Sequence, residues 1–223
     1  MTRVYVVVEG QTEESFIKDV LAPVLWARQV SLVPILVGSP GHKGGNTNYA
    51  RVKKDIRVLL RQDPTAYCTT MVDFYGLGKG FPGMPLPPNL ANLDKVSRIE
   101  RAVMDDFFAT VPELRPDIRF LPYLQLHEYE GLLFSVPVAF ANAISMPTLV
   151  QGFEKVRREF KTPEDINDDV NTAPSKRVLD VCPSYRKPLD GTRAAKAVGI
   201  ETMRRQCPHF HDWVERLEGL EGK

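Results

Sequence analysis

Carboxylates stand at the end of several apolar runs in this sequence, and these are Glu9, Asp73, Glu128 and Glu130. Carboxylates that converge on one point repel one another and raise each other's pKa, unless a cation neutralises them. Oxygen ligands without nearby cysteine favour Mg²⁺, Mn²⁺ or Ca²⁺ over Zn²⁺. The pattern therefore predicts a divalent-metal site of the kind that serves phosphoryl transfer, with Mg²⁺ or Mn²⁺ as the expected ion.

The first of these carboxylates follows a short run, residues 4–8, that is β-branched and aromatic and apolar on both alternating faces. This composition is typical of a strand inside a parallel sheet. Gly10 permits a tight turn, Thr12 is a candidate N-cap, and an amphipathic helix is expected over 11–29. Glu9 would then lie at the carboxyl end of a central strand, where open α/β sheets bind ligands.

Further strands and helices alternate along the chain. Strands are predicted at 32–37, 66–74 and 118–126, and helices at 49–61, 93–109 and around 209–218. Pro34 places the strand at 32–37 near an edge. Residues 132–144 fit a strand or a helix, and the chain is helical in character from Pro147 onward. The predicted fold class is α/β, an open and mainly parallel sheet flanked by helices.

The domain prediction is a single domain over 1–223, in which an α/β core at 1–135 carries a mostly helical C-terminal lobe at 136–223. Right-handed crossovers between parallel strands bring all carboxyl ends to one edge. That edge is expected to collect the carboxylates.

The composition and cysteine content exclude only a few classes of protein. The chain has 223 residues, a net charge of +1 and three widely spaced cysteines, which predict neither a disulfide framework nor a cysteine zinc site. No apolar stretch approaches the roughly 20 residues of a membrane span, and the first strand begins too early for a signal peptide. A reducing, cytoplasmic location without membrane contact is expected.

Basic side chains could contact phosphate in two places. His42 and Lys43 lie in a glycine-rich segment, 38–48, whose backbone could approach a ligand, although a mobile loop explains them as well. Residues 171–207 hold eight Lys/Arg against three acids, and the candidates there are Lys176, Arg177 and Lys187. A solvated basic face is the alternative for these three.

Other candidates have ordinary structural explanations. Glu13 and Glu14 suit the first turn of a helix, where acids are favoured by the dipole. His127 fits a hydrogen-bonded structural role as well as proton transfer or metal binding.

Motifs at these positions resemble a known family. They are V-E-G-x-T-E-x-x-F at 8–16, T-x-x-D-x-Y-G at 70–76, L-H-E-x-E-x-L-L-F at 126–134, N-T-A-P-S-K-R at 171–177 and Y-x-K-x-x-x-G at 185–191. Together they resemble the DUF4276 family of bacterial proteins. That family is similar to Toprim domains, the α/β metal-binding domains of topoisomerases, primases and nucleases of the overcoming-lysogenisation-defect type.

The resemblance implies a Toprim-like fold and roles for particular residues. Glu9 would be a metal ligand or general acid/base, and Asp73 a metal ligand. A Toprim domain has Asp-x-Asp at the second motif, whereas Tyr75 stands two residues after Asp73 here. Glu128 or Glu130 would then replace the missing ligand. The resemblance also implies an ATPase partner in bacterial anti-phage defence.

The leading hypothesis is a metal-dependent nuclease that cleaves nucleic-acid phosphodiesters. Glu9, Asp73 and Glu128 would act in catalysis with Lys187, and Glu130 would be a further metal ligand. Lys176 and Arg177, with His42 and Lys43, would bind the substrate. The alternatives are a non-catalytic module that docks on nucleic acid or an ATPase, and a phosphohydrolase or nucleotidyl-transfer enzyme acting on small molecules.

Overall fold

The computed structural model describes residues 1–38, 47–87, 89–167 and 172–222. Its strands form one sheet, β1 (Thr2–Val8), β2 (Val30–Leu36), β3 (Tyr67–Asp73), β4 (Phe120–Leu121) and β5 (Leu124–Gln125). The order is β2-β1-β3-β4, with β5 also on β3, and every pairing is parallel. The predicted open parallel sheet is confirmed, and so is the edge position of the strand that contains Pro34.

Strand β1 is central, as its composition predicts. Val4, Val6 and Val8 point to one face, where they pack with the C-terminal helices, and Val7 points to the other face. All four are completely buried. Because side chains alternate along a strand, this one apolar run contributes to the hydrophobic core on each face of the sheet.

The last predicted strand, 118–126, is shorter and broken. Residues Pro116–Arg119 form a helical turn, and β4 and β5 are separated by Pro122, which cannot donate to a ladder. The register nevertheless continues, because Cys68 pairs with Phe120 and Val72 with Leu124. Thr70 fills the gap, since its hydroxyl donates to the carbonyl of Tyr123 and accepts from the Tyr123 amide.

The helical segment after β1 begins where it was predicted but ends earlier and has a different N-cap. It comprises α1 (Gln11–Phe16), a π-helical turn (Ile17–Leu21) and α2 (Ala22–Trp26). Gly10 occupies the N-cap, so the Thr12 cap is wrong. Thr12 lies instead in the first turn, buried with Glu13.

The other helices are α3 (Tyr49–Gln62), α4 (Asn92–Thr110), α5 (Pro116–Arg119), α6 (Glu130–Leu133), α7 (Pro137–Ala143), α8 (Val150–Arg158), α9 (Pro174–Val181), α10 (Lys187–Val198), α11 (Ile200–Gln206) and α12 (Pro208–Glu218). The region left open as strand or helix is helical. Helix α10 packs against α1, α6 and α7, so it reaches the segments that follow β1 and β5. The division at residue 135 stays a prediction.

A cluster of rings joins the sheet to α12. Tyr123 stacks on Trp213 with a centroid distance of 4.2 Å and on His209 at 5.0 Å, and Trp213 donates to the Thr69 hydroxyl. In the described ranges, no helix has the length and apolar character needed to cross a bilayer.

Candidate functional site

Parallel pairing places the predicted carboxylates at one edge of the sheet. Glu9 follows β1, Asp73 is the last residue of β3, and Glu128 and Glu130 follow β5. The strands end at neighbouring levels, since Val8 pairs with Met71 and Asp73 with Gln125. We call this set, together with Glu13, the acidic rim.

The carboxylate of Glu9 is held between two loops. Its Oε2 is buried and accepts no hydrogen bond from a described residue, and Gly76 lies directly against it. Burial raises the pKa of Glu9, while hydrogen bonds from Thr47 and the Asp73 backbone and the charge of Lys187 work in the opposite direction. One oxygen therefore remains available to a cation.

Glu13 belongs to the rim although its sequence position suggests only a first-turn acid. It lies in the first turn of α1, four residues after Glu9, and is 7% exposed. Burial raises the pKa of Glu13, and the charge of Glu9 raises it further. The spacing of four residues between the two glutamates was the available signal, but burial of Glu13 depends on α10, which packs over α1.

Asp73 lies among the other acids of the rim. Its pKa is raised well above the usual range by burial, and then by the charges of Glu13, Glu130 and Glu9. Its Oδ1 accepts a hydrogen bond of 3.0 Å from the Tyr129 amide. This bond ties the end of β3 to the segment that carries the last two rim glutamates.

A single lysine reaches the rim from α10. The ammonium of Lys187 lies 3.0 Å from Oε1 of Glu130 and donates to Oε2 at 3.2 Å. Glu130 is completely buried, and burial raises its pKa to about 7 despite this partner. The charges of Glu130, Glu128 and Asp73 outweigh desolvation and raise the pKa of Lys187.

Glu128 and His127 lie beside this pair. Glu128 accepts from the Ser175 amide at the start of α9, at 2.7 Å. His127 has a left-handed backbone (φ 59°), is 3% exposed and stacks against Tyr75 with centroids 5.5 Å apart. Burial lowers the pKa of His127 to about 4, so this imidazole is neutral at physiological pH. Its Nδ1 lies 3.1 Å from Nδ2 of Asn167.

The segments that carry these residues match a family of proteins. The family model described as "Domain of unknown function (DUF4276)" matches residues 8–218, which include the whole acidic rim. The chain belongs to the DUF4276 family. A comparison with curated proteins finds no match.

Among solved structures, this DUF4276 chain is similar to the C-terminal region of the OLD protein of Xanthomonas campestris pv. campestris. The two share 13% identity at a TM-score of 0.41, over 98% of this chain and 95% of the other.

The predicted binding residues Lys176 and Arg177 lie on α9, the helix whose Ser175 amide donates to Glu128. Arg177 donates to the Thr172 carbonyl, pairs with Glu159 at 2.9 Å and covers the ring of Phe160. Lys176 is exposed on α9. His42 and Lys43 lie outside the described residues.

The donor set of the rim fits a hard divalent cation. All the side chains concerned offer carboxylate oxygens, and Oε2 of Glu9 is buried without a hydrogen bond from a described residue. The charge of Lys187 opposes the raised pKa of Glu9, Glu13, Asp73 and Glu130. Within the described chain, however, no three rim carboxylates offer ligand atoms all within 4.8 Å of one another. Binding an ion with three of them therefore requires side-chain rearrangement.

A group that meets this distance lies elsewhere, at His211, Asp212 and Glu215 on α12. Asp212 and Glu215 are exposed, and the guanidinium of Arg204 lies 3.4 Å from Nδ1 of His211. A neighbouring positive charge disfavours a second cation there.

Proposed function

We propose that the acidic rim binds a divalent metal ion, Mg²⁺ or Mn²⁺, and hydrolyses phosphodiester bonds of nucleic acid. The observation that carries the proposal is the excess of carboxylates at one sheet edge, where the charge of Lys187 opposes the raised pKa of four acids. Acids packed this closely, with Glu13 and Glu130 buried, are costly for the fold, which is typical of a site rather than of a structural cluster.

Glu9 and Asp73 would hold the ion, and Glu13, Glu128 or Glu130 would complete its ligands after side-chain rearrangement. A bound divalent ion supplies positive charge that stabilises the attacking and leaving oxygens of a phosphodiester. Glu9 keeps one oxygen without a described hydrogen-bond donor, so it can accept a cation or a proton without breaking an existing bond.

Lys187 is suited to the substrate side of the reaction. Its side chain is 42% exposed although its ammonium contacts a fully buried glutamate, so it can reach both the rim and solvent. If an ion neutralises Glu130, the ammonium is released to contact a phosphate oxygen and offset the charge that develops there.

Nucleic acid is the proposed substrate class because the rim borders a basic segment of the chain. Residues 171–207 hold eight Lys/Arg against three acids and include α9 and α10. A polyanionic backbone gains from such a segment, and its binding weakens steeply as salt rises. A mononucleotide substrate would show little salt dependence.

The test is cleavage of labelled single- and double-stranded DNA and RNA with Mg²⁺ or Mn²⁺, using wild type, Glu9→Gln and Glu14→Gln. Glu14 is the control because it lies in α1, the helix that follows Glu9, but not among the rim acids. Cleavage by wild type and Glu14→Gln, with loss in Glu9→Gln and in EDTA, supports the proposal. Equal cleavage by Glu9→Gln overturns it.

A second candidate is a non-catalytic module that binds metal and docks on nucleic acid or a protein. It is favoured by the separation of the rim oxygens and by Tyr75 at the position of a second aspartate. Isothermal titration with Mg²⁺ and Mn²⁺, on wild type and Asp73→Asn, separates the two. Metal binding that Asp73→Asn abolishes, without cleavage of any nucleic acid, favours the module. The ATPase partner, the defence role and the cytoplasmic location stay predictions.

A further inference from the structure

A pocket of about 500 Å³ lies beside the N-terminal part of α10, the helix that also carries Lys187. It is lined by the turn after α7, the segment after α9 and α10 itself. Its polar side chains are Ser145, Ser184, Arg186, Asp190 and Arg193, and Ile144, Met146 and Cys182 complete the wall. We call it the α10 pocket. Its volume falls within the range of about 300–1,000 Å³ that is typical of ligand sites.

The arginines of the α10 pocket are arranged on one face of the helix. Asp190 and Arg193 follow Arg186 by about one and two helical turns. Asp190 accepts from the Arg186 amide at 2.9 Å and from its guanidinium at 3.3 Å through both oxygens. Asp190 thereby fixes Arg186 while 64% of the arginine side chain stays exposed. A fixed, exposed guanidinium loses less entropy on binding an anion.

Charge balance favours an anion. One of the two arginines is matched by Asp190, whose side chain is 9% exposed, and Arg193 adds an exposed positive charge to the same wall. Two serine hydroxyls offer further donors. Guanidinium and hydroxyl groups around a concave surface are the groups that proteins use to bind phosphate.

The pocket and the rim are linked through consecutive residues. Arg186 lines the pocket and Lys187 contacts Glu130, and their Cα atoms are about 3.8 Å apart, as in any trans peptide. Helix α10 also packs on α1 and α6, which carry Glu13 and Glu130. The rim contact of Lys187 and the wall of the pocket therefore belong to the same end of α10.

We propose that the α10 pocket binds a phosphate of the nucleic-acid backbone outside the position that is cleaved, with Arg193 and Arg186 as the contacting residues. The choice of nucleic acid as the ligand rests on the proposed function. The pocket would fix how the strand lies across the rim, and Arg193 would contribute to affinity and not to the chemical step.

The experiment measures binding of fluorescein-labelled single-stranded DNA and RNA by fluorescence anisotropy in EDTA, where cleavage does not occur. Arg193→Gln is compared with Lys196→Gln, a control that removes an exposed positive charge from the same helix but not from the pocket. We expect affinity to fall about tenfold in Arg193→Gln, and the salt slope to decrease by about 0.7, the value of one lost contact to a single strand. Lys196→Gln should change affinity less than twofold.

Several outcomes overturn the inference. Equal weakening in both variants would mean that the charge of α10 acts as a whole, and no weakening in Arg193→Gln would mean that the pocket is not used. Inorganic phosphate or AMP that saturates the protein and competes with the oligonucleotide at micromolar concentration would assign the pocket to a small phosphate ligand. Because binding is measured without metal, a failed cleavage test does not alter this readout, and a failed binding test leaves the Glu9→Gln comparison intact.

Discussion

Gly76 lies against the carboxylate of Glu9, so that a Cβ on Gly76 would be 2.8 Å from Oε1 and 2.9 Å from Cδ. The loop after β3 and the loop after β1 can approach this closely only because residue 76 has no side chain. Gly76 is the glycine that ends the motif T-x-x-D-x-Y-G. Its lack of a side chain leaves room for the Glu9 carboxylate.

Gly76→Ala should therefore displace Glu9. The atoms that this Cβ would meet belong to the end of the flexible Glu9 side chain, which can move aside. We therefore expect Mg²⁺ binding to weaken while the free energy of unfolding changes little. Isothermal titration and urea denaturation measure the two effects. Gly80→Ala is the control, because a Cβ there has no neighbour within 4 Å. Equal Mg²⁺ binding by the two variants would contradict the steric argument.

Glu13→Gln should stabilise the protein and weaken its metal binding. The pKa of Glu13 is raised, so its ionisation costs stability as pH rises above the usual glutamate range, and removal of the charge also relieves Asp73. In EDTA at pH 8 the variant should unfold at higher urea than wild type, with the difference shrinking toward pH 4.5. Mg²⁺ affinity should fall tenfold or more. Glu14→Gln should do neither, and a destabilised Glu13→Gln would assign the residue to the fold.

Lys187→Met should make stability depend on metal. Without the ammonium, Glu130 and its neighbours lack their described counter-charge, and we expect a loss of about 1–2 kcal/mol in EDTA, a value discounted because the lysine side chain is partly exposed. Mg²⁺ should restore most of the loss, as measured by the melting temperature with and without the ion. Lys196→Met is the matched control. A loss of stability that Mg²⁺ does not reduce would mean that Lys187 does not neutralise the same acids as the metal.

His209 should make stability fall with rising pH. Burial alone lowers the pKa of His209, but its hydrogen bond to Glu100 at 3.1 Å and the charges of Glu100 and Glu164 outweigh burial, and the pKa is raised. The stabilisation is fully present below the usual histidine pKa of about 6.5 and is lost as pH rises through the raised value.

His209→Gln keeps a donor but cannot be protonated. Its free energy of unfolding should be lower by about 2 kcal/mol at pH 5.5 and should approach wild type above pH 8. Urea denaturation across this range, with His211→Gln as the control in the same helix, tests the assignment. A difference that is constant with pH would mean that packing against Tyr123 accounts for the whole effect.

The pattern of apolar runs predicted the sheet well because its rule is local. Residues 4–8 are apolar on both faces, and the strand is buried on both faces. The placement of Glu9 and Asp73 at one edge followed from parallel topology alone. The strand at 118–126 was predicted too long because its apolar pattern continues across Pro122. This proline interrupts the ladder of backbone hydrogen bonds, while the hydroxyl of Thr70 maintains the register.

Long-range packing determined what the sequence could not indicate. Glu13 is buried because α10 packs over α1, and Lys187 meets Glu130 across 57 residues of chain. Local patterns place a residue on an element but carry no information on which distant element covers it. Arg177 shows the same limit, since its pairing with Glu159 and Phe160 gives it a structural explanation that its basic motif did not predict.

The two edges of the sheet offer few consecutive backbone hydrogen bonds to another protein. On one side β2 contains Pro34, which lacks an amide hydrogen, and on the other β4 and β5 are two residues each with Pro122 between them. An added strand needs an unbroken row of donors and acceptors, and neither border provides a long one. Association through strand addition is thereby disfavoured, so a protein that binds this chain is expected to use helical surfaces, and the sheet is protected against edge-to-edge aggregation.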